Sequence, residues 1–170
     1  MKKIIAVSVL CASVLPAMAH DDEHSEGGLE NYIGLSASRL TSGASGTGAA
    51  VMLGHRYGEY FAAEIAYEDT GALNAGTERT TAYSAAGIVY LPLIADVEAY
   101  GRLGYATANT KDVSGIQANH GGMTYGAGLE RRLNDKYSIA LGWDRIRIGD
   151  NAAIPRANED SYAVTLLRKF

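Results

Sequence analysis

From Leu29 to the C-terminus the chain repeats one pattern eight times: about ten residues in which apolar side chains alternate with small or polar ones, closed off by a turn-rich stretch. Successive side chains of a strand point to opposite faces, so alternation at period two reads as strand. The eight segments are Leu29–Ser38, Gly48–Tyr57, Tyr60–Asp69, Thr81–Leu91, Val97–Ala108, Gly122–Leu133, Tyr137–Ile148 and Ser161–Phe170. No long segment has a clear 3.6 period, which argues against a helical framework. After the N-terminus no apolar run of about 18 residues occurs, so the chain is not a helical membrane protein.

The connections alternate in length. Arg39–Thr47, Thr70–Thr80, Asn109–Gly121 and Gly149–Asp160 are long and rich in small polar residues. Gly58-Glu59, Pro92–Asp96 and Asn134-Asp135-Lys136 are short. In an up-and-down meander, all the long loops then fall at one end and all the short turns at the other. Barrels of the bacterial outer membrane sort their loops this way, with short periplasmic turns and long outer loops.

The two faces of each strand point the same way. Phe61, Ala63, Ile65 and Tyr67 oppose Ala62, Glu64, Ala66 and Glu68; Tyr137, Ile139, Leu141 and Trp143 oppose Ser138, Ala140, Gly142 and Asp144. One face is large and apolar, the other small with isolated charges. Large outside and small inside suits a narrow barrel in lipid. Tyr57, Tyr60, Tyr67, Tyr105, Tyr125 and Tyr137 fall near strand ends, where an aromatic girdle places them. Strand four is ambiguous: Tyr83, Val89 and Leu91 compete with Ile88 and Tyr90 for one face. In hydrocarbon an unsatisfied backbone group costs several kcal/mol, so strand one must close against strand eight. The expected fold is an all-β, eight-stranded, antiparallel up-and-down transmembrane barrel over residues 29–170.

Residues 1–19 read as a cleaved signal peptide: Lys2 and Lys3, an apolar Ile4–Leu15, then Pro16 and Ala17-Met18-Ala19. The single cysteine, Cys11, leaves with it. Removing two lysines moves the formal charge from −4 to −6. An acidic exported domain lacks the basic face that nucleic-acid binding needs. Residues 20–28 (HDDEHSEGG) form an acidic tail without apolar residues, read as disordered. His20 and His24 there are weak metal-ligand candidates beside a solvated charge run. No cofactor is expected: HExxH, CxxC, P-loop, GxSxG and GxGxxG motifs do not occur.

The last strand ends in Phe170, with Tyr162, Val164, Leu166 and Phe170 on one face. It resembles the C-terminal insertion signal of outer-membrane proteins, departing from it at Arg168, which can snorkel. GHRYGEYFAAEIAYEDTG (Gly54–Gly71), VEAYGRLGY (Val97–Tyr105) and YGAGLERRLNDKYSIALGWDRIRIGD (Tyr125–Asp150) resemble the OmpA-like small outer-membrane barrel family. The resemblance covers the barrel and no peptidoglycan-binding domain. It implies residence in the bacterial outer membrane, contact with outer-membrane lipid and lipopolysaccharide, and delivery by the outer-membrane insertion machinery. It implies no shared catalytic residue.

An eight-stranded barrel is just wide enough to be filled by side chains. Arg56, Glu64, Glu98, Arg102, Glu130 and Arg132 fall on the inward face, three acids against three bases, and predict a salt-bridged plug. Arg39, Arg145, Arg147 and Arg156 fall near the outer rim, as candidate contacts for lipopolysaccharide phosphate. The sequence reading is a non-enzymatic envelope protein, structural or surface-binding through its four outer loops. A narrow ion or solute channel is the runner-up. A lipid A-modifying enzyme ranks third: among the histidines only His120 falls on the outer side, with Ser114 or Ser161 as hydroxyl candidates.

Overall fold

The computed structural model describes residues 29–41, 46–71, 77–112, 117–147 and 158–170. They form eight strands: β1 Leu29–Leu40, β2 Thr47–Tyr57, β3 Phe61–Gly71, β4 Thr77–Ile94, β5 Val97–Asp112, β6 Gln117–Arg132, β7 Tyr137–Arg147 and β8 Asn158–Lys169. Each strand pairs antiparallel with its neighbours in chain order, and the sheet closes into a barrel. Closure runs from Tyr32 opposite Lys169 to Leu40 opposite Ser161, so neither terminal strand has an open edge within that span.

The register fixes the barrel's shape. A line of paired residues starting at Glu30 passes through Arg56, Ala62, Ile88, Arg102, Gly126, Asp144 and Ser161. It re-enters β1 at Leu40, a stagger of ten residues. Eight strands with that stagger, a rise of about 3.3 Å and a spacing of about 4.8 Å give a tilt of about 41° and a radius of about 8 Å. So narrow a cylinder leaves room for side chains and little else.

Faces follow the alternation. Leu35, Val51, Leu103, Leu141 and Val164 point outward and are exposed, while Tyr32, Met52, Ala106, Ala140 and Leu167 point inward and are buried. The tertiary structure resolves strand four. Ile88 and Tyr90 are each 5% exposed and line the lumen, while Val89 and Leu91 are 53% and 62% exposed on the outer wall. Both pack in the lumen with Tyr32, Met52 and Leu167.

Several strands outrun the apolar alternation. Thr77–Thr80, Asn109–Asp112 and Gln117–Gly121 are paired strand, although their sequence reads as loop. Polar side chains outside hydrocarbon no longer alternate, but the hydrogen-bond ladder continues. His120 consequently belongs to β6, paired with Ala108. At the other end β4 continues through Pro92, past a register shift between Pro92 and Ile94, and turns at Ala95 (φ 47°) and Asp96. A proline in a sheet is accommodated at such an irregularity. The turn after β2 uses Gly58 at φ 74°, a conformation that costs glycine little. The three short turns lie at one end of the barrel, called here the turn end; the four other connections lie at the loop end. The leader at 1–19 and the tail at 20–28, with His20 and His24, fall outside the described residues.

Candidate functional site

The lumen holds the densest chemistry. At the turn end, the Arg56 guanidinium spans the barrel from β2 to β5. It donates to both carboxylate oxygens of Glu98, from Nη1 at 2.9 Å and from Nη2 at 2.7 Å. It also donates to the carbonyls of Gly58 at 3.2 Å and Glu59 at 2.6 Å, and lies 4.1 Å from the centroid of the Tyr90 ring. One side chain thereby fixes a turn, a carboxylate and an aromatic ring. Glu98 sits directly opposite Glu130 on β6, an arrangement of like charges that is unfavourable by itself. Arg56 offsets one of the two charges. Lys169 reaches Glu30 at 3.1 Å at the same mouth.

One layer deeper, Arg102 Nη2 lies 3.1 Å from Glu64 Oε1, and its Nε lies 3.5 Å from Asp144 Oδ1. The hydroxyl of Tyr32 donates to the other Glu64 oxygen at 3.2 Å. Toward the loop end Ser38 donates to Glu68 at 3.3 Å. Tyr100 lies across Gly128 and Gly142. A Cβ added at Gly128 would stand 2.6 Å from the Tyr100 ring and hydroxyl, and at Gly142 it would meet the same hydroxyl. The lumenal glycines here make room for a ring. A cavity of about 70 Å³ remains, bordered by Ser38, Glu64, Glu68, Tyr100, Arg102 and Asp144 among others.

The expected plug residues are therefore partly brought together. Arg56 meets Glu98 and Arg102 meets Glu64. Glu130 is buried on the same wall without an ion pair among the described residues. Arg132 is exposed at the mouth and takes part in none of these pairs. Asp144, Glu68 and Lys169 enter the lumen as charges the sequence reading did not count. The balance of three against three changes: Glu30, Glu64, Glu68, Glu98, Glu130 and Asp144 face Arg56, Arg102 and Lys169. Alternation had already placed Asp144 and Glu68 on the inward face. What was missing was the level along the axis.

At the loop end the outer wall carries aromatic rings and arginines. Tyr67 and Tyr83 meet at a tilt of 51° with centroids 5.0 Å apart, and Tyr125 meets Trp143 edge-on at 6.0 Å. Arg145 makes a bidentate pair with Asp160 at 2.6 and 2.7 Å and lies 5.4 Å from the Trp143 ring. Arg147 lies 5.4 Å from the Tyr125 ring, and Arg39 is exposed on β1. Arg156 and Ser114 fall outside the described residues; Ser161 borders the lumen cavity. Tyr162, Val164, Leu166 and Phe170 are all exposed on one outer face of the last strand. On β2, His55 Nδ1 is 2.8 Å from Asn31 Oδ1, and its ring meets Tyr57 edge-on at 4.4 Å.

A closed eight-stranded cylinder, apolar outside and ionic within, has no reading as a water-soluble domain, because its large side chains face away from its core. Residues 7–170 match the outer membrane protein beta-barrel domain. The chain belongs to that family. It is a protein of the bacterial outer membrane, and its apolar wall faces lipid. Solved structures with the same fold include the N-terminal barrel of Pseudomonas aeruginosa OprF, at 14% identity and a TM-score of 0.66 over 83% of this chain and 97% of that one. Neisserial surface protein A follows at 16% and 0.65, covering 87% of this chain and 100% of its own. The attachment invasion locus protein Ail of Yersinia pestis gives 16% and 0.57 over 86% and 100%. The chain matches no curated protein sequence.

Proposed function

We propose that this protein is a non-enzymatic outer-membrane barrel whose role is structural or surface-binding, carried by its loop-end connections. The observation behind this reading is the filled lumen. Arg56, Tyr90, Tyr32, Glu64, Tyr100 and Arg102 occupy successive layers of a cylinder about 8 Å in radius, which favours a rigid support over a conduit. Function then falls to the connections at the loop end, as is usual when a rigid scaffold displays loops. Arg39, Arg147 and Arg156 are the candidate lipopolysaccharide contacts; Arg145 is already held by Asp160. Ail has been solved with the heparin analogue sucrose octasulfate, and a sulfated or phosphorylated surface ligand is the chemistry those arginines suit. Export would proceed by removal of residues 1–19, with Tyr162, Val164, Leu166 and Phe170 read by the insertion machinery.

The test is surface display. Cells carrying the protein should bind sulfated or phosphorylated glycans, and replacing the four loop-end connections by short Gly/Asn turns together with R39Q/R147Q should abolish this while leaving heat-modifiable gel migration intact. Binding that survives the replacement refutes the reading. A narrow cation path is the second reading, favoured by six carboxylates against three cations along the lumen and its mouth and by the residual cavity. Planar-bilayer recordings separate the two: steady unit conductance supports the path, and its absence supports the plug. Lipid A that differs in mass between cells with and without the protein would revive the enzyme.

A further inference from the structure

Among the described residues, two arginines at the turn end of the lipid-facing wall have no carboxylate within ion-pair distance. Arg131 on β6 and Arg168 on β8 lie on the outward face and are exposed. Neither side chain joins an ion pair or ring contact among the described residues. Arg56, Arg102 and Arg145, by contrast, are all ion-paired.

The register sets the two on either side of β7. Arg131 is opposite Ile139, and Arg168 is opposite Tyr137. Two strand spacings and two residues of rise put their Cα atoms about 12 Å apart, with the outward Tyr137 ring between them. Lys136, exposed in the turn just before β7, adds a third cation next to Asp135. Elsewhere at the turn end the outward wall is apolar at Ile33, Leu53, Phe61 and Val89 and carries the polar His55–Asn31 pair. Positive charge is thus gathered on the β6–β8 sector of the wall.

The turn end of such barrels faces the periplasm, so this sector meets the headgroup layer of the inner leaflet. An arginine placed there keeps its stem on the apolar wall and its head in the polar layer. Guanidinium donors match phosphate oxygens bidentately, and each basic residue near an anionic leaflet strengthens association. We propose that Arg131 and Arg168, with Tyr137 between them, form a binding site on the outer wall for the phosphate headgroup of an anionic phospholipid.

Native mass spectrometry of the protein folded in detergent micelles tests this. Phosphatidylglycerol and phosphatidylcholine with matched acyl chains are titrated separately. One copy of phosphatidylglycerol should bind at least about tenfold more tightly than phosphatidylcholine, each arginine contributing about fivefold. R131Q/R168Q should reduce the preference to under about twofold, and R131Q alone by about fivefold. K111Q, at the loop end of β5, should leave it unchanged. Inorganic phosphate at about 20 mM should not compete, since its single ion lacks the acyl anchor that wall contact supplies. Equal binding of the two lipids overturns the proposal, as does a preference that survives R131Q/R168Q in protein with normal heat-modifiable migration. Loss of the preference on adding phosphate overturns it in favour of a soluble-anion site. Should the double variant fail to fold, R131Q alone decides.

Discussion

Arg102 is the side chain whose removal the fold should tolerate least. It stands in a narrow lumen with its guanidinium 3.1 Å from Glu64 and 3.5 Å from Asp144, and the Glu64 side chain is only 4% exposed. At an effective dielectric of about 20, each of those contacts corresponds to about 5 kcal/mol of Coulomb attraction. Most of it offsets the desolvation of the three charges. Replacing Arg102 by Met keeps the bulk and removes the cation, leaving two carboxylates in the lumen with only the Tyr32 hydroxyl donating to one of them. Breaking a buried pair in this way costs about 3–5 kcal/mol, or a factor of about 10² to 10⁴ in the folding equilibrium. Urea titration of the refolded protein in phospholipid vesicles, followed by Trp143 fluorescence and by gel migration, measures it. The triple variant R102M/E64Q/D144N removes these three charges together and should recover most of the loss, because neither Glu64 nor Asp144 is then left ionised without its cation. If R102M costs under about 1 kcal/mol, or if the triple variant is no more stable than R102M, the carboxylates are not held by Arg102 and the plug reasoning fails.

Leu141 lies on the outer wall, exposed and paired with Leu129 and Val164. L141R should cost about 2–4 kcal/mol in vesicles, whereas a water-facing leucine would accept the change at no cost; equal stability would reverse the orientation. G128A sets a methyl 2.6 Å from the Tyr100 ring and should destabilise by about 1–3 kcal/mol. G87A, where a Cβ meets nothing, should be neutral or mildly stabilising in the same titration. D160N releases Arg145 from its bidentate partner. It should raise lipopolysaccharide binding several-fold in a pull-down, since the guanidinium is then free to take a phosphate; unchanged binding would remove Arg145 from the candidate contacts.

The class of fold was legible in the chain because period two is a property of the strand itself. Each residue's neighbours two positions away share its face, so the outward set from Phe61 to Tyr67 and the inward set from Ser138 to Asp144 could be assigned without knowing what they pack against. Closure followed from the solvent, since lipid offers no partner to an open edge. The limits of the strands did not follow. Thr77–Thr80 and Gln117–Gly121 lie where polar residues replace the alternation while pairing continues, and the irregularity at Pro92 is invisible to a pattern of hydrophobicity.

Which charges meet was decided only by the closed sheet. Alternation states the side of the wall a residue occupies and is silent about its height. Height depends on seven hairpin registers and a final closure, which together accumulate a stagger of ten residues. That stagger carries Arg56 of β2 to Glu98 of β5 and sets Arg102 of β5 between Glu64 of β3 and Asp144 of β7, across the lumen. It leaves Arg132, on the same face by parity, exposed at the mouth. Local chemistry determined the inside and the outside of this protein; the partners within were selected by the geometry of closing eight tilted strands into one cylinder.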